Sequence, residues 1–172
     1  MKDKKLLSDI KEYLKCYENQ VLEDWYELIR HISVSETGEG IETCCDWIQK
    51  KMEEIGIQVT KYSVKPAPVL VGRFGNDPEK KTVLIYAHYD VKPAGERKLW
   101  HSDPFVPTVR DGKVYARGSA DNKSPLMAHL KALEYFIRRK MEVPVNVIFV
   151  FEGDEECGSR GLEEFLAEHR TE

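Results

Sequence analysis

The spacing of apolar residues changes along the chain and divides it into predicted helices and strands. Apolar positions three and four residues apart predict helix over residues 4–32, as two helices or one bent helix, and again over 41–55. Gly56 stands directly after the second of these segments, at a position where glycine commonly ends a helix. Short runs rich in β-branched residues then predict three strands, over 57–64, 68–74 and 82–91.

The second half of the chain alternates between the two kinds of pattern. Residues 92–111, which contain several Pro and Gly, predict a loop, and residues 113–118 predict a short strand. Helices are predicted over 124–140 and 161–169, and the continuous apolar run between them, 145–151, is typical of a strand covered on both faces. This order predicts an α/β fold, a layered sheet with helices on both faces, without repeats or a linker.

Composition and charge narrow the function classes. The 172 residues suit one domain, and the 26 basic and 30 acidic residues give a net charge of −4. Binding to nucleic acid needs a basic face for the phosphates, so this balance argues against that class. No apolar stretch approaches the ~20 residues that span a bilayer, and the first residues lack the apolar core of a signal peptide. We therefore expect a cytoplasmic protein without a membrane partner, whose four cysteines are reduced thiols.

Side chains that can ligate metals follow three of the predicted elements, where functional groups of open α/β sheets collect. The first group is His88 with Asp90, at the end of the strand 82–91. Because residues two apart in a strand face the same way, Asp90 can accept a hydrogen bond from one ring nitrogen of His88 and leave the other free for a metal. An apolar strand that ends in a polar turn explains this pair equally well. Asp121, just before the helix 124–140, is either a ligand or an ordinary N-cap.

The third group is an acidic cluster in the sequence FEGDEECGS, directly after the apolar run. It consists of four carboxylates, those of Glu152, Asp154, Glu155 and Glu156. Capping at a helix start explains one or two acidic residues, but four are excessive for that purpose. Like charges at a buried strand end are costly unless a cation offsets them. Carboxylates together with an imidazole suit zinc, manganese or cobalt better than calcium.

Three motifs, in their order and spacing, resemble those of the di-zinc aminoacylase and dipeptidase family. They are AHYDVKPAG, WHSDPFVPTVRDGKVYARGSADNK and FEGDEECGS. The family includes carnosinase-like dipeptidases, carboxypeptidase G, acetylornithine deacetylase and succinyl-diaminopimelate desuccinylase, and the HYDV segment is most similar to the carnosinase-like branch. The resemblance implies an aminopeptidase-like zinc-peptidase catalytic domain that hydrolyses the amide bond of dipeptides or N-acyl amino acids.

The resemblance also implies a role for each candidate residue. His88 would ligate one zinc ion, with Asp90 hydrogen-bonded behind it, and Asp121 would bridge both ions. Glu156 would ligate the second ion. Glu155 would be the general base that takes a proton from the attacking water and passes it to the departing amine. Manganese or cobalt could replace zinc with such ligands.

The family fold is considerably longer than 172 residues, so the resemblance implies that residues 1–172 are the N-terminal part of the catalytic domain. A further acidic ligand, a lid or dimerisation domain, which would allow a homodimer, and a final His ligand would lie outside them. Each zinc would then keep two protein ligands, fewer than the usual three. We expect these residues alone to bind zinc weakly, to hydrolyse dipeptides poorly or not at all, and to expose a sheet edge. The alternative is a non-catalytic binding or assembly module that retains a partial zinc site.

Overall fold

The computed structural model describes residues 2–170, which contain four α-helices and six β-strands. The helices are α1 (Lys2–Arg30), α2 (Ile41–Glu54), α3 (Lys123–Arg138) and α4 (Leu162–Glu168). The strands are β1 (Gln58–Tyr62), β2 (Val69–Phe74), β3 (Thr82–His88), β4 (Thr108–Arg110), β5 (Lys113–Tyr115) and β6 (Asn146–Glu152). Two short 3-10 turns cover Arg97–Leu99 and Glu155–Cys157. Among these residues, no helix is long and apolar enough to cross a bilayer.

Four strands form a mixed sheet in the order β1-β2-β6-β3. The central strand β6 pairs antiparallel with β2 and parallel with β3, so the carboxyl ends of β3 and β6 lie at the same edge. Nearly all of β6 is buried, as its continuous apolar run predicts. Strand β3 borders the sheet, and Val83, Leu84 and Tyr86 on it are exposed. The sheet therefore has an uncovered margin beside β3.

Both faces of the sheet carry helices, which confirms the predicted α/β architecture. The larger core lies on the face covered by α1, α2 and α3, where Leu28, Ile48 and Leu126 pack against sheet residues such as Phe149. A smaller cluster on the opposite face holds α4 to the sheet. It consists of Phe165 with Val69, Val71 and Val150. Alternate side chains of β6 thus enter different cores, which is why the strand is apolar at consecutive positions.

The ends of the first two helices follow from local sequence. The sequence pattern predicted either two helices or one bent helix here, and residues 2–30 form one continuous helix. The segment contains neither Gly nor Pro to break it. The second helix ends in a Schellman motif: the N–H of Ile57 donates to the carbonyl of Met52 (3.0 Å), and the N–H of Gly56 donates to that of Glu53 (2.9 Å). Gly56 has a φ of 87°, a conformation that glycine adopts without strain.

Two predictions need correction. The strand predicted over 82–91 ends at His88, so Asp90 lies beyond it rather than within it. The loop predicted over 92–111 contains β4, which pairs with β5 in a separate two-stranded sheet. The dipeptide Asp111-Gly112 joins the two strands and is a typical two-residue hairpin turn. The alternation is too short here for the strand pattern to be recognised, and the turn residues were the available signal.

All four cysteines are free, as the sequence predicts. Cys44 and Cys45 are buried within α2, whereas Cys16 is exposed and Cys157 is partly buried. Burial is the main cause that raises the pKa of the Cys45 thiol, to about 12, so this group stays protonated and unreactive.

Candidate active site

The candidate residues converge where β3 and β6 end. In the parallel pairing, His88 stands opposite Glu152, and the turn Glu155–Cys157 follows directly after β6. Asp121 precedes the first turn of α3 and reaches the same place. The structure therefore brings side chains from three separate segments to one edge of the sheet, as expected for an open α/β fold.

His88 is held between two carboxylates. Its Nδ1 lies 3.2 Å from the main-chain oxygen of Asp90 and 3.3 Å from the Oδ1 of the same residue. Its Nε2 lies 3.0 Å from Oδ1 of Asp121. With the Nδ1 proton donated to Asp90, the free nitrogen of the neutral ring is Nε2, which faces Asp121. Asp121 does not cap α3, since the N-cap is Asn122 and makes no side-chain capping bond.

Asp90 connects the two strand ends. Its buried carboxylate accepts the N–H of Glu155 at 3.2 Å through Oδ1 and the N–H of Glu156 at 3.0 Å through Oδ2. Burial raises the pKa of Asp90, but hydrogen bonds from His88, Ser35 and the N–H of Glu156 outweigh it, so the pKa is lowered overall. Asp90 is thus an anion that orients His88 on one side and fixes the position of the turn Glu155–Cys157 on the other.

Glu155 and Glu156 point to different partners. The side chain of Glu155 is 43% exposed and its Oε2 lies 3.7 Å from Nε2 of His88. The side chain of Glu156 is only 16% exposed and its Oε2 lies 3.6 Å from Nζ of Lys92. Glu155 therefore joins the group of His88, Asp90 and Asp121, whereas Glu156 lies beside a lysine that sequence reasoning did not single out.

The acidic surroundings favour a positive charge on His88. Burial lowers the pKa of His88, but the hydrogen bond to Asp90 and the negative charges of Asp90, Glu155 and Asp121 outweigh it and raise the pKa to about 9. Near neutral pH, and without another cation, a proton on Nε2 supplies the positive charge that these carboxylates favour. A divalent ion at Nε2 would satisfy it as well, because it supplies positive charge to the same carboxylates.

The donor set fits a divalent metal in kind but not in number. An imidazole nitrogen whose partner nitrogen is already bonded, with carboxylates at 3.0 and 3.7 Å from it, is the kind of donor set that zinc or manganese takes. Across residues 2–170, however, no group of three His, Cys, Asp or Glu side chains is arranged to hold a metal ion. The described residues therefore do not complete a metal site by themselves.

The other two acidic residues of FEGDEECGS support the turn rather than the site. Glu152 is buried and accepts hydrogen bonds from the hydroxyls of Tyr86 and Ser159, both at 2.6 Å. Burial is the main cause of its raised pKa. Asp154 is buried too, and it accepts two hydrogen bonds from the guanidinium of Arg160, at 2.6 and 2.9 Å. Both carboxylates are satisfied by local partners, which explains why four acidic residues are tolerated here.

Gly153 allows the turn after β6 to pass over a buried ring. A Cβ atom at this position would lie 2.5 Å from the ring and hydroxyl of Tyr89, which is fully buried. That hydroxyl donates to the carbonyl of Pro68 at 2.7 Å, so the ring is fixed in place. The absence of a side chain at Gly153 is therefore a packing requirement.

Lys123, at the start of α3, is a second residue that sequence reasoning missed. It is almost completely buried, and its ammonium donates to the main-chain carbonyl of His31. Burial is the main cause that lowers its pKa. The bond ties the start of α3, and with it the neighbouring Asp121, to the segment that follows α1. A lysine between a cap and an amphipathic helix gives no sequence signal of such burial.

Three other histidines and Trp100 lie outside this cluster. His101 and His129 are exposed, and His169 packs against Phe165 at 4.4 Å between ring centroids. Trp100 donates its indole N–H to the carbonyl of Ala94 at 2.9 Å, which is packing within its own loop.

Comparison with known proteins gives a consistent answer. The family model described as peptidase family M20/M25/M40 matches residues 84–172. The chain is 43% identical over 120 residues to a Cys-Gly metallodipeptidase of Schizosaccharomyces pombe, covering 67% of this chain and 25% of that protein. It is 44% identical over 103 residues to the human Beta-Ala-His dipeptidase, covering 60% of this chain and 20% of that protein.

A solved structure extends the similarity to the fold. Human carnosine dipeptidase 1 superposes with a TM-score of 0.88 at 31% identity, covering 93% of this chain and 37% of that one. The chain thus spans a quarter or less of the two curated relatives and about a third of this structure. The matched family model begins within β3 and includes every candidate site residue, from His88 to Glu156. The chain accordingly belongs to peptidase family M20/M25/M40, a family of metallopeptidases.

Proposed function

We propose that this chain carries part of a two-zinc centre that hydrolyses the amide bond of dipeptides or N-acyl amino acids. One observation carries the proposal: His88 directs Nε2 towards Asp121 and Glu155 while Asp90 occupies its other nitrogen. This is the arrangement in which a histidine is prepared for a metal, with its tautomer fixed by a carboxylate behind it. A structural salt bridge would not need the second and third carboxylates on the far side of the ring.

The residues divide into ligands and supports. We assign His88 and Asp121 as ligands of one ion, Asp121 and Glu156 as ligands of the other, and Asp90 as the positioning residue. When bound, two zinc ions would lower the pKa of a water held between them and polarise the substrate carbonyl. Manganese or cobalt would suit the same donors. The two donors for each ion imply weak binding by residues 1–172 alone.

Glu155 is the general base in this proposal. Its carboxylate is more exposed than that of Glu156 and lies 3.7 Å from Nε2 of His88, so it is accessible both to a water at the site and to a substrate from solvent. Its main chain is fixed by the hydrogen bond to Asp90. Glu155 can accept the proton of the attacking water and then donate it to the departing amine.

The names of the relatives support a proposal for the substrate class. The two curated relatives described above are named a Cys-Gly metallodipeptidase and a Beta-Ala-His dipeptidase, and Cys-Gly and β-Ala-His are both dipeptides. We therefore propose a dipeptide as the substrate, and an N-acyl amino acid as the alternative, because a succinyl-diaminopimelate desuccinylase is 35% identical over 130 residues.

The test uses the protein at its natural length, whether that is 172 residues or more. After removal of metals with a chelator, hydrolysis of Cys-Gly and β-Ala-His is measured as Zn²⁺ or Mn²⁺ is restored. We expect Glu155→Gln to lower kcat by about 10²–10⁴-fold with metal binding retained, as for loss of a general base. Asp121→Asn should weaken both metal binding and hydrolysis.

The matched control is Glu163→Gln, which removes an exposed carboxylate on α4. It should leave hydrolysis and metal binding unchanged. Hydrolysis that survives the chelator, or that is the same in Glu155→Gln as in Glu163→Gln, would refute the proposed mechanism. Stoichiometric metal binding without hydrolysis of either substrate class would favour a binding module instead.

A further inference from the structure

Lys92 lies against the residue that we assign to the second ion. Its ammonium donates to the main-chain carbonyl of Glu156 and lies 3.6 Å from Oε2 of the same residue. Lys92 follows β3 and Glu156 follows β6, so this contact joins the same two segments as Asp90 does. The lysine side chain is 52% exposed and the glutamate side chain only 16%, so the ammonium approaches a partly buried carboxylate from the more exposed side of the pair.

The neighbouring glutamate has a different environment. Glu155 faces His88, whose Nε2 can exchange a proton for a metal ion. Glu156 faces an ammonium group, which carries a full positive charge but cannot accept a metal. Of these two consecutive glutamates, only Glu156, the proposed ligand, lies beside a fixed positive charge that an incoming divalent ion would have to replace.

From this contact we propose that Lys92 is an internal cation that holds Glu156 while no metal is bound and competes with the metal for its carboxylate. The inference rests on the proposed function, in which Glu156 is a ligand. An ion that binds Glu156 must take the carboxylate from the ammonium, and it must also approach a like charge. The bond to the main-chain carbonyl keeps the ammonium beside the turn even when the carboxylate rotates away, so the repulsion persists after the exchange. The two ions should consequently bind with different affinities, the one at Glu156 more weakly.

The experiment compares metal affinities rather than activity. Metal-free protein is titrated with Co²⁺ by its visible absorption and with Zn²⁺ by calorimetry, for the natural protein, Lys92→Met and Lys92→Arg. We expect Lys92→Met to tighten the weaker binding step by about three- to tenfold, since it removes a partly screened charge next to the ligand. The stronger step should stay unchanged. Lys92→Arg keeps the charge and should behave like the natural protein.

Lys98→Met is the matched control, because Lys98 is an exposed lysine of the same loop that pairs with Glu96 instead. It should change neither step. Equal or weaker binding of the second ion in Lys92→Met, or an equal gain in Lys98→Met, would overturn the role of Lys92.

A second measurement needs no metal. In chelator, the thermal midpoints of Lys92→Met, Glu156→Gln and the double variant are compared with that of the natural protein. A real pair predicts that the double variant loses less than the sum of the two single losses. Additive losses would overturn the pairing itself. Non-additive losses in a protein that binds neither ion would instead overturn the proposed metal centre, and with it the competition for Glu156. A failure of the pair and a failure of the proposed function therefore give different results.

Discussion

Replacement of Asp90 by Asn tests the central contact of the candidate site. The buried carboxylate accepts the N–H groups of Glu155 and Glu156 and holds Nδ1 of His88. An amide has one acceptor oxygen in place of two, so its NH₂ group must face one of these donors. The variant also removes the negative charge that contributes most to the raised pKa of His88. We expect Asp90→Asn to lower both that pKa and the free energy of unfolding.

The magnitude follows from the pKa of His88, which is about 9 in the fold, compared with the ordinary imidazole value of 6.5. Because the folded value is the higher one, protonation of His88 stabilises the fold fully below about pH 6.5, and the contribution is lost as the pH rises through about 9. A difference of about 2.5 units corresponds to about 3 kcal/mol. Asp90→Asn should remove most of this contribution. In the absence of metal, the stability that the variant loses relative to the natural protein should therefore be about 2–3 kcal/mol larger at pH 6 than at pH 9.5.

Two measurements in chelator check this expectation. An NMR titration of the imidazole of His88 gives its pKa directly, and urea unfolding at pH 6 and pH 9.5 gives the two stability differences. Asp46→Asn is the control, because it removes an exposed carboxylate that pairs with Lys61. A His88 pKa that stays near 9 in Asp90→Asn, or a stability loss equal at both pH values, would refute the reasoning.

Two further predictions concern packing and thiol chemistry. Gly153→Ala should destabilise the fold by about 2–4 kcal/mol in urea unfolding, because the new Cβ would displace the ring of Tyr89 and its hydrogen bond. Gly158→Ala, with a φ of 93° but no atom within 4 Å, should cost about 1 kcal/mol; equal losses would contradict the packing argument. In the native protein a thiol reagent should modify Cys16 and Cys157 and leave the two thiols buried in α2 unmodified until denaturant is added. Rapid modification of four thiols under native conditions would contradict the burial.

The fold could be predicted from the sequence where a feature depends on the residues of a single segment. The run at β6 is apolar at consecutive positions because both of its faces are covered, and this is visible without knowledge of its neighbours. Gly56 marks the end of α2 for an equally local reason. Strand β5 lies within the short strand predicted over 113–118, but its partner β4 escaped prediction because a strand of three residues is too short to show alternation. Strand order was not predictable either, since it depends on pairing between distant segments.

The contacts of the candidate site likewise divide into those that are predictable from the sequence and those that are not. The contact between His88 and Asp90 was predictable because the two residues are close in sequence. The bonds from Asp90 to the turn after β6 were not, because they depend on the parallel pairing of β3 with β6. The pair of Lys92 with Glu156 depends on that pairing too. The assignments of ligands and general base remain predictions, which the experiments above test.

The pairing of β3 with β6 also affects the order of folding during synthesis. Asp90 and the N–H of Glu155 that it accepts are 65 residues apart along the chain. At a synthesis rate of 5–20 residues per second, about 3–13 s separate the appearance of these two groups at the ribosome. During that interval β3 has neither its partner strand nor the turn that Asp90 binds, so its unpaired backbone N–H and C=O groups are open to other chains. A nascent polypeptide at this stage should therefore be a client for chaperones that shield apolar strands.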